Sequence, residues 1–264
     1  MGLSHSPRIV TDGLVFCVDA ANKRSYPGAG TTWTDLTANR NNAILVNMGS
    51  LNFRNDGVGS LIFDGINEYM YITKLNYGTS SDNGTISELT VLCWIKTSYS
   101  NGINTADGGY DSANWSFLDF DRSEVFNLFV EGGGQLKFSG RSANNGGFST
   151  YYDLGAGTHS SRLVNDGNWH QVGVTFSVAA QKIRFFIDGV MIRSVSANGN
   201  MTALGSGLRR YGIIGDGSEA GTVNGTRNNV YYQGQIGSIL MYDSKSLTSA
   251  QMKQNYLATK GRFQ

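Results

Sequence analysis

Asp119 and Asp121 stand two residues apart in Leu118-Asp-Phe-Asp-Arg-Ser-Glu124, and this spacing is the nearest approach in the chain to a catalytic pair. On an extended strand, residues i and i+2 point to one side. The two aspartates would then share a face, with Leu118 and Phe120 filling the core on the other. Carboxyl groups about 5–5.5 Å apart can serve as nucleophile and acid in a retaining glycosidase, and a chain using them so would be a glycan depolymerase. The longer acidic residue, Glu124, falls beyond Arg122-Ser123 in what reads as a turn, so the expected arrangement is a charged outer face beside that turn. The three histidines add no catalytic group: His5 is near the terminus, His159 is in a polar loop and His170 lies in an apolar run. There is no Gly-x-Ser-x-Gly elbow, no zinc spacing of His or Cys and no phosphate loop. Aromatic side chains on loops could instead stack on a sugar face. Tyr99, Tyr110, Trp115, Tyr151 and Tyr152 are placed for that, although Trp115 also suits a core and single exposed aromatics are ordinary.

These residues sit in a pattern of strand, turn, strand. Short runs rich in Val, Ile, Phe and Tyr are separated by Gly, Asn, Asp and Ser. The runs are Gly13–Asp19, Ser60–Asp64, Tyr69–Thr73, Leu89–Thr97, Trp115–Asp121, Val125–Val130, Gln135–Ser139, Trp169–Phe176, Lys182–Ile187, Val190–Val195, Gly212–Gly215 and Gln235–Tyr242. Glu131-Gly-Gly-Gly134 and Asp188-Gly189 mark hairpins, the second a two-residue type I′ signal. In Trp169–Phe176, the residues Val172, Val174 and Phe176 should face the core, with Trp169, Gln171, Gly173 and Thr175 opposite. One helix is expected at the C-terminus. Thr248 caps it, Gln251 completes a capping box, Leu247 staples against Met252, Met252 and Tyr256 share a face, and Gly261 lies past the last turn. That face should pack on an edge of the sandwich. Polar stretches such as Asn22–Asn42 and Gly155–Gly167 read as surface loops.

Bulk composition narrows the function classes. Thirty-five glycines against two prolines fit many tight turns, and 40% hydrophobic residues are enough for a core in one domain over 1–264, with 1–11 as an N-terminal extension. A net charge of +1 with scattered basic residues excludes an electrostatic footprint for nucleic acid. No run is long enough to insert in a membrane. Met1–Val10 carries Ser4, His5, Pro7 and Arg8 where a signal peptide would be apolar, so synthesis and folding in the cytoplasm are expected. Cys17 and Cys93 then read as reduced, buried small hydrophobes. The Asn-x-Ser/Thr sites at Asn83, Asn114, Asn200 and Asn224 are what an Asn- and Thr-rich chain yields by chance.

Three segments resemble the laminin-G-like family of the concanavalin A-like superfamily. They are Ser60-Leu-Ile-Phe-Asp-Gly-Ile-Asn-Glu-Tyr69; Asp166-Gly-Asn-Trp-His-Gln-Val-Gly-Val-Thr175 followed by Ile183-Arg-Phe-Phe-Ile-Asp-Gly189; and Gly234-Gln-Ile-Gly-Ser-Ile-Leu-Met-Tyr-Asp243 with Leu247-Thr-x-x-Gln251. The resemblance implies an all-β, concanavalin A-like jelly-roll β-sandwich with one short C-terminal helix, and a structural role for the Trp169-His170 pair. Relatives that hydrolyse glucans carry a Glu-x-Asp-x-Glu strand, which the Asp119 segment lacks. Relatives also often hold Ca²⁺ through Asp, Asn and carbonyl oxygens. Asp19 and Asp243, ending the first and last strands as neighbours, and Asp64 and Asn67 in the Asp-Gly turn, would be its ligands; the alternative is that all four cap turns. Asp12-Gly-Leu-Val-Phe-Cys-Val-Asp-Ala-Ala-Asn-Lys-Arg-Ser-Tyr-Pro27, with Thr32-Trp-Thr-Asp-Leu36, resembles stand-alone laminin-G-like structural proteins of tailed bacteriophages of marine bacteria. This implies a non-catalytic virion surface protein, a head decoration or fibre component, whose partners are other virion proteins and a host surface glycan. A carbohydrate-binding adhesin is the alternative.

Overall fold

The computed structural model describes residues 7–99, 115–121, 123–131, 133–141, 159–196 and 201–264. In chain order the strands are β1 (Leu14–Asp19), β2 (Thr32–Trp33), β3 (Ala43–Val46), β4 (Phe53–Arg54), β5 (Ser60–Asp64), β6 (Tyr69–Tyr77), β7 (Glu88–Lys96) and β8 (Trp115–Asp119). The second half adds β9 (Phe126–Val130), β10 (Gln135–Gly140), β11 (His159–Leu163), β12 (Trp169–Ser177), β13 (Lys182–Ile187), β14 (Val190–Ser196), β15 (Arg210–Ile214), β16 (Gln233–Asp243) and the helix α1 (Ser249–Phe263). They make two antiparallel sheets. The first runs β14-β13-β12-β7-β16-β5-β4 with β1 also on β16, and the second runs β11-β10-β9-β8-β15-β6-β3-β2. The expected all-β sandwich with one C-terminal helix is what forms.

Side-chain alternation explains why these two sheets stack. Val172, Val174 and Phe176 of β12 and Val91, Cys93 and Ile95 of β7 face Leu128, Val130, Leu136 and Phe138 of the second sheet in one core. Each such side chain contributes roughly 1.5–3 kcal/mol by leaving water. Rings cross between the sheets: Phe138 and Phe176 have centroids 6.3 Å apart, and Tyr232 sits edge-on to Phe63 and Phe117. The Asp188-Gly189 turn has φ of 53° and 71°, as a type I′ hairpin requires.

The back of the first sheet is buried too, which is why β7 and β12 read as nearly continuous apolar runs. Helix α1 packs on that face with β12 and the edge strand β14 as its nearest backbone neighbours, and Trp94 of β7 reaches its last turns. The Trp94 ring stacks on Phe263 at 4.3 Å and on Tyr256 at 5.9 Å, and its Nε1 donates to Thr259 Oγ1 at 2.9 Å. Gly173 allows this approach, because a Cβ there would stand 2.8 Å from Met252 Cε. The capping box forms as expected, with Thr248 Oγ1 accepting from Gln251 N and Gln251 Oε1 accepting from Thr248 N. Gly261 does not end the helix. The chain stays helical to Phe263, whose docking on Trp94 and Trp169 outweighs the roughly 1 kcal/mol that an interior glycine costs. The N-terminal segment is tied to this helix: Val10 N donates to Asn255 Oδ1 at 2.8 Å and Tyr242 OH to Val10 O at 2.8 Å.

Strands β2, β3, β4 and β11 fall outside the runs read from sequence. Strands β2 and β4 are two residues long and carry no periodicity, and β3 is the four-residue run Ala-Ile-Leu-Val. Strand β11, His-Ser-Ser-Arg-Leu, is a polar edge strand held by its backbone ladder to β10. Cys17 and Cys93 are both free and buried. Strand β16 lies between them, with Leu240 opposite Cys17 and Ile239 opposite Cys93, so they belong to different faces of the sheet. Burial pushes the Cys17 thiol up to about 12, so it is not a nucleophile near neutral pH.

Candidate functional site

The aspartate pair does not form a charged outer face. Asp119 and Asp121 are both completely buried. A bulge between Ser116 and Leu118 and a left-handed Asp121 (φ 68°) break the alternation on which that expectation rested. Asp121 Oδ2 accepts from Arg210 Nε at 2.6 Å, and its Oδ1 accepts from Ser123 N at 2.8 Å. Asp119 Oδ1 accepts from Asp121 N at 2.5 Å. Glu124 does sit in the turn, paired to Arg141 at 3.3 Å. These carboxylates organise the β8–β9 connection.

The four residues named for calcium do not come together. Strands β1 and β16 are antiparallel, with Asp19 opposite Ser238 and Leu14 opposite Tyr242, so Asp19 and Asp243 lie at opposite ends of the pair. At about 3.4 Å per residue, five positions separate them by roughly 17 Å. Asp19 Oδ2 accepts from Arg262 Nη1 at 2.8 Å, and Asp243 Oδ2 accepts from Tyr77 OH at 3.2 Å. Asp64 Oδ1 accepts from Ile66 N at 2.7 Å and Asn67 N at 3.4 Å, which is the turn-capping arrangement.

Of the loop aromatics, Tyr110, Tyr151 and Tyr152 lie outside the described residues, and Trp115 opens β8. Tyr99 lines a groove of about 350 Å³ that also contains Asp64, so one proposed sugar ligand and one proposed metal ligand meet there.

A larger groove of about 580 Å³ involves residues that sequence reading did not single out. It opens where β1 of the first sheet meets β6 and β15 of the second. Tyr211 pairs with Asn76 and Ile213 with Tyr71, so β6 carries three extra residues over that step. Ile72 and Leu75 of this bulge turn into the core while Thr73 and Lys74 line the groove. The facing wall is the loop after β2. Its Asn39 and Asn41 each donate an amide N–H to Val15 O, at 3.0 and 2.9 Å, leaving their carbonyl oxygens as acceptors. Buried Asp35 braces that loop, accepting from Cys17 N, Thr37 N, Thr37 Oγ1 and Asn41 N within 3.0 Å. Asp82 and Asn83 close the floor through Asn76, and Arg209 reaches Asp82 at 3.5 Å on the rim. Tyr211 is half-buried at one end, against Tyr69, Ile213 and Ala220. Arg227 stacks on the Tyr69 ring at 3.7 Å beside it.

Planar amides and a carboxylate can each meet two neighbouring hydroxyls, and a tyrosine face can cover apolar C–H groups. The groove's size falls in the range of small-ligand sites, about 300–1,000 Å³. One spacing could have pointed to it: Asn39 and Asn41 stand two apart on one loop. Tyr211, far along the chain, carries no such local signal.

His170 belongs to scaffolding. Its Nδ1 lies 2.9 Å from Asp188 Oδ2 and its Nε2 3.1 Å from Asp166 Oδ1, tying two turns together. The hydrogen bond to Asp188 raises its pKa against the opposing effect of burial, helped by the charges of Asp188 and Asp166. A raised folded pKa means stability fully present below the ordinary value of about 6.5 and lost as pH rises through the folded value. Thermal unfolding of the wild type should therefore fall with pH over that window more than in His170→Gln. Parallel curves would remove the clasp.

Two stacked antiparallel sheets with a single C-terminal helix define a concanavalin A-like β-sandwich. Residues 64–253 match the model of the family described as the concanavalin A-like lectin/glucanases superfamily, and the chain belongs to that family. Among solved structures it is similar to the binding domain of Paraclostridial mosquitocidal protein 1, with 14% identity, a TM-score of 0.59 and coverage of 93% of this chain and 52% of that one. It is similar also to domain 4 of AbnA, a GH43 extracellular arabinanase from Geobacillus stearothermophilus, in complex with arabinotriose, with 12% identity, a TM-score of 0.56 and coverage of 93% and 98%. A third is the botulinum neurotoxin serotype D ligand-binding domain in complex with N-acetylneuraminic acid, with 13% identity, a TM-score of 0.53 and coverage of 93% and 50%. The chain thus spans about half the length of the two toxin domains. At these identities the likeness is one of fold. No curated protein matches the sequence. No helix among the described residues is long and apolar enough to cross a membrane.

Proposed function

We propose that this chain is a non-catalytic glycan-binding module that takes a sugar in the groove between β1, β6 and β15, displayed on the virion of a tailed phage as a head decoration or fibre component. The observation that carries the sugar site is the Asp35-braced wall of Asn39 and Asn41 set across the groove from the half-buried Tyr211 ring. Preformed walls lower the ordering cost of binding. Two of the similar domains were solved with sugars bound, arabinotriose and N-acetylneuraminic acid, which favours the same class of ligand here. The non-catalytic reading is supported by the burial of Asp119 and Asp121 and by the ion pair that holds Asp121. The virion role and its protein partners rest on the resemblance of the Asp12–Pro27 segment to phage structural proteins. An adhesin that recognises a host surface glycan uses the same groove.

Two measurements test this. A glycan array probed with the full chain should give discrete hits that are recovered uncleaved by mass spectrometry. A blank array would end the sugar reading, and cleaved products would end the non-catalytic one. Proteomic counting of purified phage particles should find the chain in many copies per particle, and its absence would end the virion role.

A further inference from the structure

The 350 Å³ groove beside Tyr99 is separate from the one just assigned and is built from different strands. Gln233 and Gln235, two apart on β16, line it together with Asp64, which stands opposite Gln233 in the ladder. Gly234 makes the pairing possible. Its φ is 147°, and a Cβ there would stand 2.5 Å from Lys96 O, so no larger residue fits where β16 crosses the end of β7. The third wall is the chain leaving β7. Thr97 Oγ1 donates to Gln233 O at 2.8 Å and accepts from Tyr99 N at 3.2 Å, and Tyr99 O accepts from Asn165 Nδ2 at 3.1 Å. The half-buried Tyr99 is therefore fixed by its backbone on both sides.

The polar groups of this groove are already committed in a defined sense. Gln235 Oε1 accepts from Ser60 Oγ at 3.0 Å, which leaves its Nε2 as a donor. Asp64 Oδ1 is taken by Ile66 N and Asn67 N, which leaves Oδ2 as an acceptor. The Gln233 amide can supply either. Among the described residues the lining contains no lysine or arginine, and the Asp64 carboxylate is its formal charge. An anionic ligand would meet repulsion from that carboxylate. A hard cation would find one carboxylate where it needs six to eight oxygens. A neutral ring bearing hydroxyls meets a donor, two acceptors and the exposed part of Tyr99, whose side chain otherwise packs against the core. The volume, near the lower end of the small-ligand range of about 300–1,000 Å³, holds one ring better than a chain.

We infer that the groove formed by Asp64, Thr97, Tyr99, Gln233 and Gln235 is a second sugar site, one that takes a single neutral sugar ring such as the terminal residue of a neutral glycan. The inference shares with the proposed function only the kind of ligand, and none of the residues. It would make each chain bivalent, raising avidity for a surface carrying many glycans without any further contact.

The test is saturation-transfer NMR and calorimetry on the full chain with the methyl glycosides of glucose, galactose, mannose, N-acetylglucosamine and arabinose, and with N-acetylneuraminic acid as the anionic comparison. At least one neutral glycoside should bind. Tyr99→Ala and Gln233→Ala should each weaken it about tenfold or more, about 1.4 kcal/mol, with unchanged melting curves, and Tyr211→Ala should leave it unaltered. The site is overturned if no neutral glycoside binds, if binding survives both variants, or if it is lost in Tyr211→Ala. Failure of the first groove shows separately, as array hits that are absent or do not depend on Tyr211.

Discussion

Asp121→Ala is expected to destabilise the protein by about 3–5 kcal/mol, the cost of removing one partner of a buried ion pair. The Asp121 side chain is 1% exposed and that of Arg210 15%. Without the carboxylate, the guanidinium keeps one described bond, from Nη1 to Arg209 O at 3.1 Å. The Ser123 bonds go as well, and alanine at a φ of 68° adds roughly 1–2 kcal/mol of backbone strain that aspartate tolerates better. Asp121→Asn keeps the turn-capping oxygen and loses only the charge, so it should be the milder change. Urea unfolding should rank wild type above Asn above Ala. An alanine variant within 1 kcal/mol of wild type would show that the pair does not hold the β8–β9 connection.

Trp94→Ala should cost a similar amount, about 3–5 kcal/mol for an aromatic removed from a buried cluster, and should have a more local signature. The indole stacks on Phe263 and Tyr256 and donates to Thr259, so it joins Trp169, which meets Phe263, and Asp19, which meets Arg262, in holding the last two turns of α1 to the sheet. Met252 on the same helix, with Leu247 just before it, packs in one cluster with Cys17. Undocking should therefore speed reaction of Cys17 with a thiol reagent, whereas Cys93, in the core between the sheets, stays protected. Unchanged Cys17 labelling in Trp94→Ala would mean that the helix is held by other contacts.

The parts of the fold legible in sequence were those governed by local rules. Alternation placed Val172, Val174 and Phe176 inward and Trp169 outward. Asp188-Gly189 declared its turn, and Thr248 and Gln251 declared the helix start. The departures came where distant partners decide. Arg210, 89 residues away, draws Asp121 inward, and Phe263 carries the helix past a glycine that would otherwise end it. Antiparallel pairing, invisible to a residue-by-residue reading, separates Asp19 from Asp243. The candidate site was the least legible part. Its amides and its tyrosine come from three segments far apart in sequence, and the β6 bulge that opens the groove has no motif.

The claim on which the rest turns is that a rim groove, not the buried aspartates, meets the ligand. Calorimetric titration of wild type, Tyr211→Phe, Tyr211→Ala and Asn39→Ala with the strongest oligosaccharide from the array tests it most directly. Phenylalanine should stay within a few-fold of wild type, while the two alanine variants should each lose about tenfold or more in affinity, with no heat from hydrolysis in any of them. Equal affinities across the four proteins, or turnover that disappears in Asp119→Asn, would contradict it.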